Sequence, residues 1–168
     1  MTFRVWVDSV GTQRVTAIAL ISAAVLGVTH GVCSIYWGLG GHWLVATLGE
    51  RIVSDFAGYR WTLIPIGLAK IGFALLPLLL AAYRWPARRW GRSLCWLGAI
   101  GLALWGGINT VIGNLVLSGV IRPDGGYDHD AMAGHAWLWD PLFLLWGLCL
   151  GVGLAAGRTD RVAAEARS

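Results

Sequence analysis

His30, Lys70, Asn109, Asn114 and Asp140 are strongly polar side chains set inside long apolar stretches of a 168-residue chain. Such groups are costly in hydrocarbon; a lysine near a helix centre costs about 2.5–3.5 kcal/mol on insertion scales. They normally face a bundle interior or a wet cavity and find partners there. Asp140 and His30 can donate or accept a proton, and Lys70 can tune a partner's proton affinity. These three are the catalytic candidates. Trp37, Asn109, Asn114, His135 and Trp139 are the ligand-binding candidates, because they fall at the same end of the apolar stretches. No nucleophile–base pair is visible, so isomerisation or a proton-driven rearrangement fits better than hydrolysis. The residue types define a polar site and not a reaction.

The stretches that carry these groups are long enough to cross about 30 Å of hydrocarbon. They run from Val15 to Gly38, Trp61 to Tyr83, Leu94 to Ser118 and Ala136 to Gly157, the last with an alternative start at Pro141. The composition agrees: 57% of residues are hydrophobic and 13% charged, about half the charge of a soluble domain. The first stretch is too long for a signal-peptide core and is read as a retained span. The expected fold is all-α, one antiparallel four-helix transmembrane bundle covering residues 1–168 as a single membrane domain. Ala23, Gly27 and Gly31 on the first helix, and Gly106, Thr110 and Asn114 on the third, form ladders of small or packing residues. Small residues let backbones approach in lipid. Short connections predict that sequential helices are antiparallel neighbours.

Arginines set the orientation. Arg4, Arg14, Arg84, Arg88, Arg89, Arg92, Arg158, Arg161 and Arg167 fall on one side of the spans, and Arg51, Arg60 and Arg122 on the other. The positive-inside rule then places both termini in the cytoplasm, with the chain in an inner, or cell, membrane. Glu50, Asp55, Asp124, Asp128 and Asp130 lie in the outer loops. Trp37, Trp43, Trp61, Trp137 and Trp139 mark the outer interface, and Trp85, Trp90 and Trp96 the inner one, as aromatic anchors do.

Depth follows from the helical rise. His30, Lys70 and Asn109 lie about 12–13 Å below the outer edge, and Asn114 and Asp140 about 6 Å. Every span therefore sends a polar residue to the outer half. Lys70 points outward along its helix, which predicts an ion pair or shared water with Asp140. That pair either fixes helix register or serves a ligand. Asp140 before Pro141 also reads as an N-cap with proline at the first helical position. The segment "DHDAMAGHAWLW" is then interfacial and lies above the pocket. His30 is either a core histidine bonded to a carbonyl or Asn109, or a proton donor or ligand to metal or haem. Asn109 and Asn114 stand about 140° apart around their helix, so one of them faces the core.

Several functions lack support. His30, His42, His129 and His135 show no ligand spacing, and Asp128-His129-Asp130 reads as a solvated turn, so no metal and no cofactor is expected. Cys33, Cys95 and Cys149 form no CxxC pair and read as small buried residues. "WGLGGHW" lacks the Lys-Ser/Thr of a phosphate loop and reads as a tight exit turn over the pocket mouth. The net charge of +4 comes from arginines beside spans, which argues against a nucleic-acid partner.

The pieces "HGVCSIYWGLGGHW" (residues 30–43) and "YDHDAMAGHAWLWDPLFLLWG" (residues 127–147) resemble a bacterial, actinobacterial-type family of small four-span membrane proteins catalogued as a domain of unknown function. The likeness lies in a histidine near the first exit, a W-x-L-G-G turn and a polar-proline start to the last helix. It implies the architecture and no activity. Three functions follow as expectations. The first is a pocket for a lipophilic ligand such as an isoprenoid, quinone or sterol-like lipid. The second is a non-catalytic accessory or assembly subunit that docks on a membrane partner or on itself. The third, a transporter, needs oligomerisation at this size and shows no inverted repeat.

Overall fold

The computed structural model describes the backbone of residues 3–49, 53–54, 57–82 and 88–165, and the side chains within residues 11–49, 53–54, 58–82 and 89–158. The side chains of Arg4, Glu50, Arg51, Asp55, Arg84, Trp85, Arg88, Arg161 and Arg167 lie outside the described residues. Regular structure among the described residues is helical. The long helices are α1 (Phe3–Gly38), α2 (Leu63–Ala82), α3 (Arg88–Leu117) and α5 (Asp140–Glu165), with a short α4 (His129–Gly134) before the last. Four segments are long and apolar enough to cross a membrane: Gly11–Gly38, Gly58–Ala82, Arg89–Leu117 and His129–Arg158. The end that carries the loops around residues 39–62 and 118–128 is called distal here; the end that carries both termini is proximal.

Apolar residues surround each helix, so hydropathy alone does not choose its neighbours. Small residues do. On α1 the buried stripe is Leu20, Ala23, Gly27, His30, Ser34 and Trp37, spaced three or four apart. Gly27 faces both Ala74 of α2 and Trp146 of α5, and Gly31 meets Gly67 and Ile71 of α2. On α3, Gly106 lies against the backbone of Asp140 and Leu144, and Gly113 against Ala136. Gly147 of α5 lies against Ala99 and Ala103. The lateral order is therefore α2–α1–α5–α3, with α1 and α5 as the central pair. The expected neighbours α1–α2 and α3–α5 are found, but α2 meets α3 far less than it meets α1. Phe73 over Gly98 and Leu80 over Gly91 are the close approaches of that pair, and both lie toward the proximal half. The core there is built from Leu20, Ala23, Ala74, Leu80, Cys95, Ala99, Trp146, Leu150 and Leu154. Of the cysteines Cys95 is fully buried, whereas Cys33 and Cys149 are half-buried; all are free thiols.

The entry to the last span differs from expectation. Asp140 has helical dihedrals (φ −75°, ψ −38°) and is not an N-cap. The helix starts eleven or so residues earlier by count along the chain, at His129, where Asp128 (φ −74°, ψ 113°) caps it. The Asp128 carboxylate accepts from the Ala131 amide at 3.1 Å. Residues His135–Trp139 then form a π turn, in which the Asp140 amide donates to the His135 carbonyl. Pro141 has no N–H for the regular ladder, and a π turn is one way a helix absorbs such a break. The interfacial segment of the expectation is thus a helical extension of the span. Asp128→Ala should lower stability by about 1 kcal/mol, the usual worth of an N-cap. Thermal unfolding in detergent checks this, and an unchanged midpoint would show that the cap contributes nothing.

Candidate functional site

His30 and Ser34 sit one turn apart on the buried face of α1, and Lys70 reaches them from α2. Its ammonium nitrogen lies 3.2 Å from His30 Nδ1 and donates to Ser34 Oγ at 3.0 Å. Ser34 Oγ in turn donates to the His30 carbonyl at 3.2 Å. An ammonium has no acceptor capacity, so Nδ1 is the accepting nitrogen and the ring proton resides on Nε2. His30 is 5% exposed, and its Nε2 is buried with no hydrogen-bond partner among the described residues. The Phe143 ring lies 4.1 Å from the imidazole and 5.6 Å from the Lys70 ammonium, within cation–π range. The expected Lys70–Asp140 pair is absent, because Lys70 is spent on α1. Nor does His30 bond Asn109, whose Nδ2 donates to the Trp105 carbonyl on its own helix.

Asp140 pairs instead with His135. The carboxylate lies 3.2 Å from His135 Nδ1, and the aspartate side chain is 4% exposed against 45% for the histidine. Residues five apart do not share a face of an α-helix; the π turn, with its i→i+5 bond, brings them together.

Trp37 and Trp139 roof the histidine and are not lipid-facing anchors. They meet edge-on with centroids 4.9 Å apart, and Trp139 lies 5.6 Å from His30. Both are buried. Trp37 Nε1 donates to the Trp43 carbonyl at 2.8 Å, and Trp139 Nε1 to Thr47 Oγ1 at 2.9 Å. The exit turn supplies these acceptors: Gly40 takes φ 97°, and Arg60 Nη2 holds the Gly41 carbonyl at 2.6 Å. Trp43, Trp61, Trp90 and Trp137 are exposed, as interface anchors are.

A cavity of about 320 Å³ opens beside Asp140. Trp105, Asn109, Ile112 and Gly113 of α3 form one wall; Asp128, Ala131, Met132 and His135 form the other. A second space of about 280 Å³, lined by Trp37, Leu48, Tyr59, Leu63 and Ile66 with Arg60, is apolar. Asn114 belongs to neither. It is exposed, and its Oδ1 accepts from Trp137 Nε1 at 3.0 Å. Of the expected site residues, His30, Lys70, Trp37 and Trp139 form one cluster and Asn109, His135 and Asp140 another beside it. Ser34, Phe143 and Trp105 were missed by sequence reasoning. Each lies three or four residues from a singled-out position, at His30, Asp140 and Asn109, and that spacing was the available signal.

The fold and site thus define an all-helical protein with four membrane-compatible spans and a polar layer toward the distal end. The family described as "Protein of unknown function (DUF3995)" matches residues 27–150, and the chain belongs to that family. The matched stretch includes every residue of both clusters. No curated protein and no solved structure matches the chain.

Proposed function

We propose that this chain is a multi-pass protein of a bacterial inner membrane whose distal half binds a lipophilic molecule and presents acid–base groups to its polar head. The arginine distribution supports cytoplasmic termini and an extracytoplasmic distal end. The observation that carries the reading is the cavity of about 320 Å³ with Asp140 in its wall, a residue only 3% exposed. Mixed apolar and polar walls of this kind are what small-molecule sites use, and ionisable groups inside a membrane mark function by default. Asp140 and His135 are the groups placed to exchange a proton with a bound head.

Native mass spectrometry of protein gently extracted from membranes tests this. Wild type should carry a lipophilic molecule, and Asp140→Asn combined with Lys70→Met should stay folded and lose it. A clean ligand-free wild type overturns the reading. A second reading, an accessory subunit that docks on itself or on a membrane partner, is favoured by one observation: both hydrogen-bond partners of Lys70 lie on α1, as a register lock requires. Under it the double variant keeps its phenotype or alters assembly alone.

A further inference from the structure

We infer that the head group taken by the cavity beside Asp140 is a protonated amine, so that the ligand is a cationic amphiphile. This rests on the reading of that cavity as a binding site. Asp140 is nearly fully buried, and among the described residues its ion-pair partner is His135, not a lysine or arginine. Lys70, the lysine of the spans, is committed to His30 and Ser34. A buried carboxylate that lacks a permanent cation is costly, and an imidazole is a cation for part of the time only. A ligand ammonium removes that cost.

The rest of the wall agrees. Asn109 gives one N–H of Nδ2 to the Trp105 carbonyl and keeps Oδ1 as an acceptor in the same wall as Asp140. His135 spends Nδ1 on the carboxylate. The site is therefore rich in acceptors, and an ammonium brings donors and no acceptor. A phosphate or carboxylate head meets Asp128 and Asp140 together, both in the wall. Trp105 is exposed and lines the same space, so its ring offers a cation–π face. Ile112 and Met132 supply apolar surface for the carbons next to the nitrogen.

The test compares dodecylamine, dodecan-1-ol and dodecanoate on the full chain in a non-ionic detergent, with binding read by native mass spectrometry. The amine should bind at least about tenfold tighter than the alcohol, which corresponds to about 1.4 kcal/mol, and dodecanoate weakest. Asp140→Asn should bring amine and alcohol level, and Trp105→Leu should weaken the amine several-fold more than it weakens the alcohol. Equal binding of all three to wild type overturns the amine inference and leaves the cavity reading standing. An amine preference that survives both substitutions also overturns it, because the charge is then read elsewhere. If none binds, the cavity reading falls as well.

Discussion

Gly106→Ala should lower the thermal unfolding midpoint sharply, whereas Gly101→Ala, on the same helix, should leave it unchanged or raise it. A Cβ at Gly106 collides with the Leu144 amide nitrogen and stands 2.5 Å from the Asp140 carbonyl oxygen. Both are backbone atoms, so no side chain can rotate away. Overpacking typically costs about 1–3 kcal/mol, and a clash with a rigid helix belongs at the upper end of that range. At Gly101 a Cβ meets nothing within 4 Å, and alanine is the better helix former by about 1 kcal/mol. The damage at Gly106 falls on the turn that holds Asp140, so the loss of stability should come with loss of the His135–Asp140 pair. Thermal unfolding of the two variants in one detergent decides it. Equal midpoints would mean that α3 and α5 do not approach as described.

The second large effect is an asymmetry between two bonded residues. His30→Leu should destabilise the protein by about 2–3 kcal/mol, since a hydrogen bond to a charged group is worth about 1.5–3 kcal/mol and its loss leaves the ammonium short of an acceptor. Lys70→Met should cost less, about 1 kcal/mol, because it leaves a neutral imidazole nitrogen without its donor and at the same time removes the desolvation cost of a buried charge. The double variant should recover most of what His30→Leu loses. Contacting residues show coupling of about 0.5–3 kcal/mol in such a cycle. Additive single effects would show that Lys70 and His30 do not interact, and the register lock would fall with them.

The Lys70 result also shows how far sequence reasoning reached. Its depth, and the inference that it needs a partner inside the bundle, follow from the helical rise and the cost of charge in hydrocarbon. Its partner does not follow, because that depends on which helix lies beside α2. The same division appears at the tryptophans. Trp37 and Trp43 are six residues apart and look alike in sequence, yet one is 3% exposed and the other 66%. Trp37 lies on the buried stripe of α1, whereas Trp43 lies beyond the end of that helix in the exit turn, which a count of aromatics near span ends does not contain. At Asp140 the dipeptide Asp-Pro suits a helix start and equally a π turn inside a helix. Packing of Gly106 against Asp140 and Leu144, and of Gly113 against Ala136, accompanies the second outcome.

What belongs to the sequence alone is the one-dimensional content: four apolar runs long enough to span a bilayer, the placing of polar residues toward one end, and the small residues at Gly27, Gly31 and Gly106 where helices approach closely. These follow from composition and helical period, which are local. The lateral order α2–α1–α5–α3, the pairing of Lys70 with His30 and of Asp140 with His135, and the tryptophan roof were decided by tertiary structure. The helices are apolar on nearly every face, so the choice of neighbour rests on small residues matching across helices distant in the chain. That match exists only once the helices are assembled.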